Sequence, residues 1–270
     1  VPSFIVRSRL SRALQRAHRI GTAPRTAAAL LLAVGLTGVP VGGMRAQAAL
    51  PADSFPAPSR PVSAIVAPRY IAEDRRDAFG EAETVLRRLG IRRGLVVADI
   101  GAGDGYYVAR LAPRVGSTGK VLAVDIEPRY LADLRQRVAT AGWTNVEVIT
   151  GAPHDPKLPP NGVDVALLIH MYHEIEQPFG LLYHLALAMK PRGLVGIVDL
   201  DGPTDQHGTP PGLLRCEVEA LGFRRIRLEQ LSDGSYLATF RAPDDGDRLT
   251  TAAQVRARLA AAPCVTSGAP

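Results

Sequence analysis

The sequence predicts an α/β protein whose core is a doubly wound, mostly parallel seven-stranded sheet closed by an antiparallel C-terminal hairpin. Three observations carry that prediction. Runs of Val, Leu, Ile and Ala recur without polar alternation, as at residues 95–100 and 163–169, which suits parallel strands covered on both faces. Charged amphipathic segments such as 129–140 lie between such runs, giving the alternation of successive βαβ units. Near the end, residues 223–231 and 235–241 flank Ser232-Asp233-Gly234, a hairpin signal.

The elements follow in order. Residues 70–89 read as a helix, with Ile71, Ala78, Ala82, Val85, Leu86 and Leu89 apolar between charges and Gly90 as the stop. A strand at 95–100 leads to a short helix at 106–111, a strand at 120–124 and the helix at 129–140. Strands at 146–149 and 163–169 follow; the Pro-rich connection between them, from Gly151 to Gly162, is too short for a crossover helix. A helix at 179–189, a strand at 194–198 and a helix at 213–221 precede the hairpin. Residues 70–243 therefore form the domain. Residues 49–69 are Pro-rich in a Ser/Ala background and read as a linker, and 244–270 as a flexible tail with one weak helix.

The formal net charge of +6 suggests an acidic partner until its distribution is seen. Arg7, Arg9, Arg12, Arg16, Arg19, Arg25 and Arg45 stand before residue 53 with no Asp or Glu among them. The rest of the chain is close to neutral, so no nucleic-acid footprint is expected. Residues 1–48 run from Arg-rich to apolar (26–36) to the small residues Ala46-Gln47-Ala48, the pattern of a secretory signal peptide. A transit peptide and a start at Met44 are the other readings. The chain would be exported or periplasmic if the segment works as a signal, and cytoplasmic otherwise. The apolar run is too short and too rich in Gly and Pro for a stable membrane span. Cys216 and Cys264 allow one disulfide but no metal-ligand spacing.

The chemistry concentrates after the first strand. Asp99-x-Gly101-x-Gly103-x-Gly105 opens the first helix of the sheet, and glycines there let backbone approach a ligand closely. A dinucleotide loop would place its third glycine one residue later and bind a pyrophosphate. The acid two residues before Gly101 suits a cationic group instead. Asp125 ends the second strand, where an acid usually accepts from adenosine ribose hydroxyls.

With these residues in place, the sequence resembles the class I S-adenosylmethionine-dependent methyltransferases over about residues 70–241, nearest the small-molecule branch that includes quinone C-methyltransferases. The motifs are Val97-Ala98-Asp99-Ile100-Gly101-Ala102-Gly103-Asp104-Gly105, Val121-Leu122-Ala123-Val124-Asp125-Ile126-Glu127-Pro128, the strand from Asp164 to His170, and the turn and strand from Lys190 through Gly193 to Asp199. The resemblance implies a Rossmann-like fold, S-adenosylmethionine as methyl donor and a small-molecule acceptor. It implies that Asp99, Gly101, Gly103 and Gly105 hold the methionine part, and Asp125, with Ile126 beside it, the ribose. The acid expected near the adenine amino group is displaced: Gly151 is followed by Ala152, Pro153 and His154, leaving Asp155 for that role.

His170-Met171-Tyr172-His173-Glu174 follows the fourth strand at the sheet edge where such folds bind ligands. His173, then His170, are the candidate general bases toward the acceptor, with Glu174 beside them. Strand-end packing with a solvated Glu174 is the plainer alternative. A metal reading of the two histidines and Glu174, joined by His207, ranks last, and no metal is expected. Asp199 and Asp201 end the fifth strand at the same edge, and His207 lies in a turn or a lid. Two rival functions stay open: an NAD(P)-dependent oxidoreductase on a similar fold, and a cofactor-binding domain without turnover.

Overall fold

A computed structural model of the chain describes residues 50–66, 73–244 and 251–265. The signal-like segment 1–48, the first residues of the expected 70–89 helix and parts of the expected tail lie outside the described residues.

Seven strands form one sheet: β1 (Val96–Ile100), β2 (Lys120–Asp125), β3 (Val146–Thr150), β4 (Val163–Ile169), β5 (Met189–Leu200), β6 (Arg224–Gln230) and β7 (Ser235–Arg241). Their order is β3-β2-β1-β4-β5-β7-β6. All neighbouring pairs are parallel except β5–β7 and β6–β7. The continuous apolar strands have the expected cause. In β4, Val165 and Leu167 face one core layer while Ala166 and Leu168 face the other, so from Val165 to Leu168 no position is left for a polar residue.

One layer is built on α2 (Glu81–Arg88), α3 (Tyr106–Val115) and Leu134 of α4 (Pro128–Ala141). The other is built on α5 (Pro178–Ala188) and α6 (Pro211–Ala220). As expected, the 151–162 connection holds no helix. The single helix expected over 70–89 is instead two, α1 (Glu73–Phe79) and α2, broken at Gly80, whose φ of 66° is a left-handed conformation.

The segment expected as a linker packs as a strap. Helix α5 is buried nearly all round, and the start of this strap lies against it: Leu50 N–H donates to His184 Nε2 (3.2 Å), and the Phe55 and Tyr183 rings lie 5.1 Å apart. Arg60, fully buried, donates from Nε to Glu217 Oε1 of α6 (3.0 Å) and from Nη2 to the carbonyls of Tyr172 (3.3 Å) and Ile175 (3.4 Å). Pro and Ser suit this path because it makes side-chain rather than ladder contacts. The described part of the expected tail is also packed. Helix α7 (Ala252–Ala261) buries Val255, and Cys264 is bonded to Cys216 of α6. Ser59 Oγ donates to the Cys264 carbonyl, joining strap and tail. No helix among the described residues is long and apolar enough to cross a membrane.

Candidate active site

Strands β2 and β3 lie to one side of β1 and β4 to the other, so the loops leaving β1 and β4 diverge and open a crevice at the carboxyl edge. The cavity there is about 650 Å³, within the size range of small-molecule sites. It brings together Asp99, Gly101, Gly103, Asp125, Ile126, His170, His173 and Glu174, all expected from the sequence.

The glycine loop forms one wall. The Gly101 and Ala102 N–H groups both donate to the Val124 carbonyl (2.9 Å), folding the loop back on β2. Gly101 has φ 75°, and a Cβ there would lie 2.9 Å from Met171 Cγ. Gly105 caps α3 and is not itself among the lining residues. Asp125 organises the opposite side. Its Oδ1 accepts from Ile126 (2.7 Å) and Glu127 (2.9 Å) N–H, and its Oδ2 from Gly103 N–H (2.8 Å). A carboxylate offers about four acceptor positions, so one remains toward the cavity.

Asp99 is the unusual group. It is 2% exposed, and its Oδ2 is buried with no hydrogen-bond partner among the described residues. Burial, reinforced by Asp125 and only partly offset by Arg76, pushes its carboxyl up to about 7. A buried acceptor without a donor is costly, and a cationic ligand group in the cavity would relieve it.

Asp155 does not line the cavity. Its Oδ1 turns back to accept from Lys157 N–H (2.8 Å), closing a tight loop in which Ala152 and Asp155 pair, so the 151–156 loop presents Ala152, Pro153 and Pro156 instead.

Helices α1 and α2 form a roof. Glu81, the first residue of α2, accepts from Tyr107 Oη (2.7 Å) and Arg76 Nη2 (3.0 Å) at Oε1 and pairs with His170 Nε2 (2.7 Å) at Oε2. Hydrogen bonding and charge from His170, with Arg76, hold the Glu81 carboxyl well below the usual range despite burial. Glu81 and Arg76 are site residues beyond those expected from the sequence. The available signal was an acid at 81 placed four residues before Val85, on the buried face of the helix.

At the other end stands His173, 2% exposed, with Nδ1 2.9 Å from Asp199 Oδ1 and 3.1 Å from Oδ2. Asp199 is fully buried and also accepts from Leu200 N–H (2.9 Å) and Thr209 Oγ1 (2.7 Å). This pins the imidazole and leaves Nε2 available. The strap reaches this end too: Ser63 N–H donates to the His173 carbonyl (3.1 Å) and Val66 N–H to Glu174 Oε1 (3.2 Å). Burial pushes the Glu174 carboxyl up to about 7. The exposed apolar residues Ile65, Val66, Phe79, Ile126 and Leu200 all lie on this cavity's lining.

A family model described as "Methyltransferase domain" matches residues 97–193. The demethylmenaquinone methyltransferase of Staphylococcus aureus is 25% identical over 120 residues, 44% of this chain and 49% of that protein. Protein-L-isoaspartate O-methyltransferase 2 of Archaeoglobus fulgidus is 38% identical over 63 residues, 23% of this chain and 29% of that one. The chain thus spans about half the length, or less, of these curated relatives. Among solved structures, a SAM-dependent methyltransferase from Aquifex aeolicus matches with TM-score 0.57 and 27% identity, covering 60% of this chain and 89% of that one.

Proposed function

We propose that this chain is a class I S-adenosylmethionine-dependent methyltransferase, as the matched methyltransferase domain and the similar structure support, and that it transfers a methyl group to a small molecule with an apolar body and an ionisable nucleophilic atom. The observation that carries the reading is the unpartnered Asp99 carboxylate oxygen under the glycine loop. The donor's ammonium is the cation that fits it, with the free acceptor position of Asp125 turned to a ribose hydroxyl. When bound, S-adenosylmethionine supplies an electrophilic methyl on a sulfonium. The protein's task is then to hold the acceptor in line with it and take up the acceptor's proton.

His173 takes that proton in this reading, which is supported by Asp199 orienting its ring and by the available Nε2. His170 is committed to Glu81, which makes it a positioning residue for the roof. The apolar rim of Ile65, Val66, Phe79 and Leu200 favours an acceptor with a hydrophobic portion. The relatives' names specify different acceptors, so family membership does not choose one.

Calorimetry with S-adenosylhomocysteine and with NADH on the purified chain tests the reading. S-adenosylhomocysteine is expected to bind with one site and NADH not at all; binding of NADH alone overturns it in favour of an oxidoreductase. Its pH dependence is a second expectation. Asp99 must be ionised to pair with the ligand's ammonium, and its carboxyl lies at about 7 in the free protein. Affinity should therefore fall as pH drops through 7, by up to about tenfold per pH unit. Asp99→Asn should bind weakly and lose this slope; a flat wild-type profile between pH 5.5 and pH 8, to give about the window needed, would remove Asp99 from the site. The stability linkage has the opposite sign. A raised carboxyl stabilises the free fold at low pH, and that contribution is lost as pH rises from 3.8 through about 7.

A further inference from the structure

We propose that His173, Glu174 and His207 form a binding site for one divalent transition-metal ion, of the zinc or iron(II) class, at the acceptor end of the cavity. One donor atom from each lies within 4.8 Å of the other two, and all three residues line the cavity. Small side-chain movements would bring such a set onto an ion.

Each member has the support that a ligand needs. Asp199 holds His173 Nδ1, and Leu200 N–H and Thr209 Oγ1 hold Asp199; a carboxylate behind an imidazole is the usual backing of a metal-bound histidine. The free Nε2 lies 3.9 Å from Glu174 Oε1. His207 has its Nδ1 buried without a hydrogen-bond partner. Its backbone is left-handed, with φ 57°, a conformation that costs a non-glycine residue free energy and tends to persist at functional sites. Ser63 Oγ accepts from its N–H (3.2 Å) and holds the turn in place.

A second cluster, Glu81, His170 and Asp233, meets the same spacing but is already satisfied. Both Glu81 oxygens are engaged, by Tyr107 and Arg76 on one side and His170 on the other. The unsatisfied nitrogen belongs to the His207 cluster alone of the two.

Two imidazoles and one carboxylate leave coordination positions open, the arrangement of catalytic zinc and of non-haem iron(II). The consequence for the acceptor rests on the methyl-transfer reading above; the ion site does not. With Nε2 committed to the ion, the acceptor's proton is no longer taken by His173. An acceptor oxygen, nitrogen or sulfur bound to the cation loses its proton to solvent, because the cation lowers its pKa. The acceptor class is then a small molecule whose nucleophilic oxygen, nitrogen or sulfur can bind a transition-metal ion.

The test uses the untagged full chain, stripped with a chelator and titrated with Zn²⁺ by calorimetry and with Co²⁺ by visible absorption. One ion per chain is expected, with ligand-field bands on Co²⁺ binding. His207→Asn, which keeps a residue tolerant of left-handed backbone, and Glu174→Gln should each weaken binding by about tenfold or more, and Thr209→Val by about 10–100-fold through Asp199. Melting curves verify that each variant is folded, and His154→Ala, away from the cluster, should bind as wild type. Absence of saturable binding overturns the site, as does affinity that ignores His207→Asn or follows His154→Ala. Zn²⁺ binding without S-adenosylhomocysteine binding would keep the site and sink the methyl-transfer reading; the reverse pattern would sink only the site.

Discussion

Glu217→Ala should destabilise the folded chain by about 3–5 kcal/mol, the usual cost of stranding one member of a buried ion pair. Both side chains of the Arg60–Glu217 pair are fully buried, so the orphaned guanidinium would have no route to water. Glu217 Oε2 also accepts from Tyr172 Oη (2.9 Å), and that hydroxyl would lose its acceptor too. Urea unfolding measures the change. The double variant Arg60→Met/Glu217→Leu removes both charges together and should recover most of the loss, because an apolar pair of similar volume is often neutral or better. A single variant that unfolds at the wild-type urea concentration would show that the strap is not held this way. The site should feel the change as well. Arg60 grips the carbonyls of Tyr172 and Ile175, which bracket His173 and Glu174.

Asp125→Ala should weaken S-adenosylhomocysteine binding by about 10²–10³-fold. On the proposed assignment a ribose hydroxyl loses a charged acceptor, worth about 1.5–3 kcal/mol. The Gly103, Ile126 and Glu127 N–H groups lose theirs at the same moment, so the glycine loop itself is released from β2's end. Asp125→Asn keeps one acceptor oxygen and should fall between the two. Calorimetry on variants verified as folded decides the matter. Wild-type affinity in Asp125→Ala would remove the ribose assignment.

The sheet was legible because its signals are local. Strands buried on both faces have no polar alternation, as in β4, and the glycines and Asp125 sit at strand ends where the chain alone identifies them. What depends on distant partners was not. The strap looks like a linker because its Pro and Ser residues disfavour regular structure, and nothing near Arg60 in sequence announces Glu217. A clue existed in α5, whose residues Phe179, Leu181, Leu182, Tyr183 and Leu185 are all buried, leaving no polar face and requiring a cover on every side. The break at Gly80 was hidden by a periodicity that continues across it. Asp155 follows β3 where an adenine-side acid is expected, whereas its own tight turn satisfies it first. Conversely, the expected base His173 gains its meaning from Asp199 and Thr209, which only the folded sheet edge brings together.

The Cys216–Cys264 bond closes a covalent ring across a sequence separation of 48, and Ser59 hangs the strap on that ring. Such a bond persists outside the reducing cytosol and is kept open within it. The methyl donor is a cytosolic metabolite, so the compartment that supplies the donor is the one that withholds the crosslink. The oxidised and reduced forms differ by two hydrogens, so a non-reducing gel run on thiol-blocked cell fractions should show which form a compartment holds.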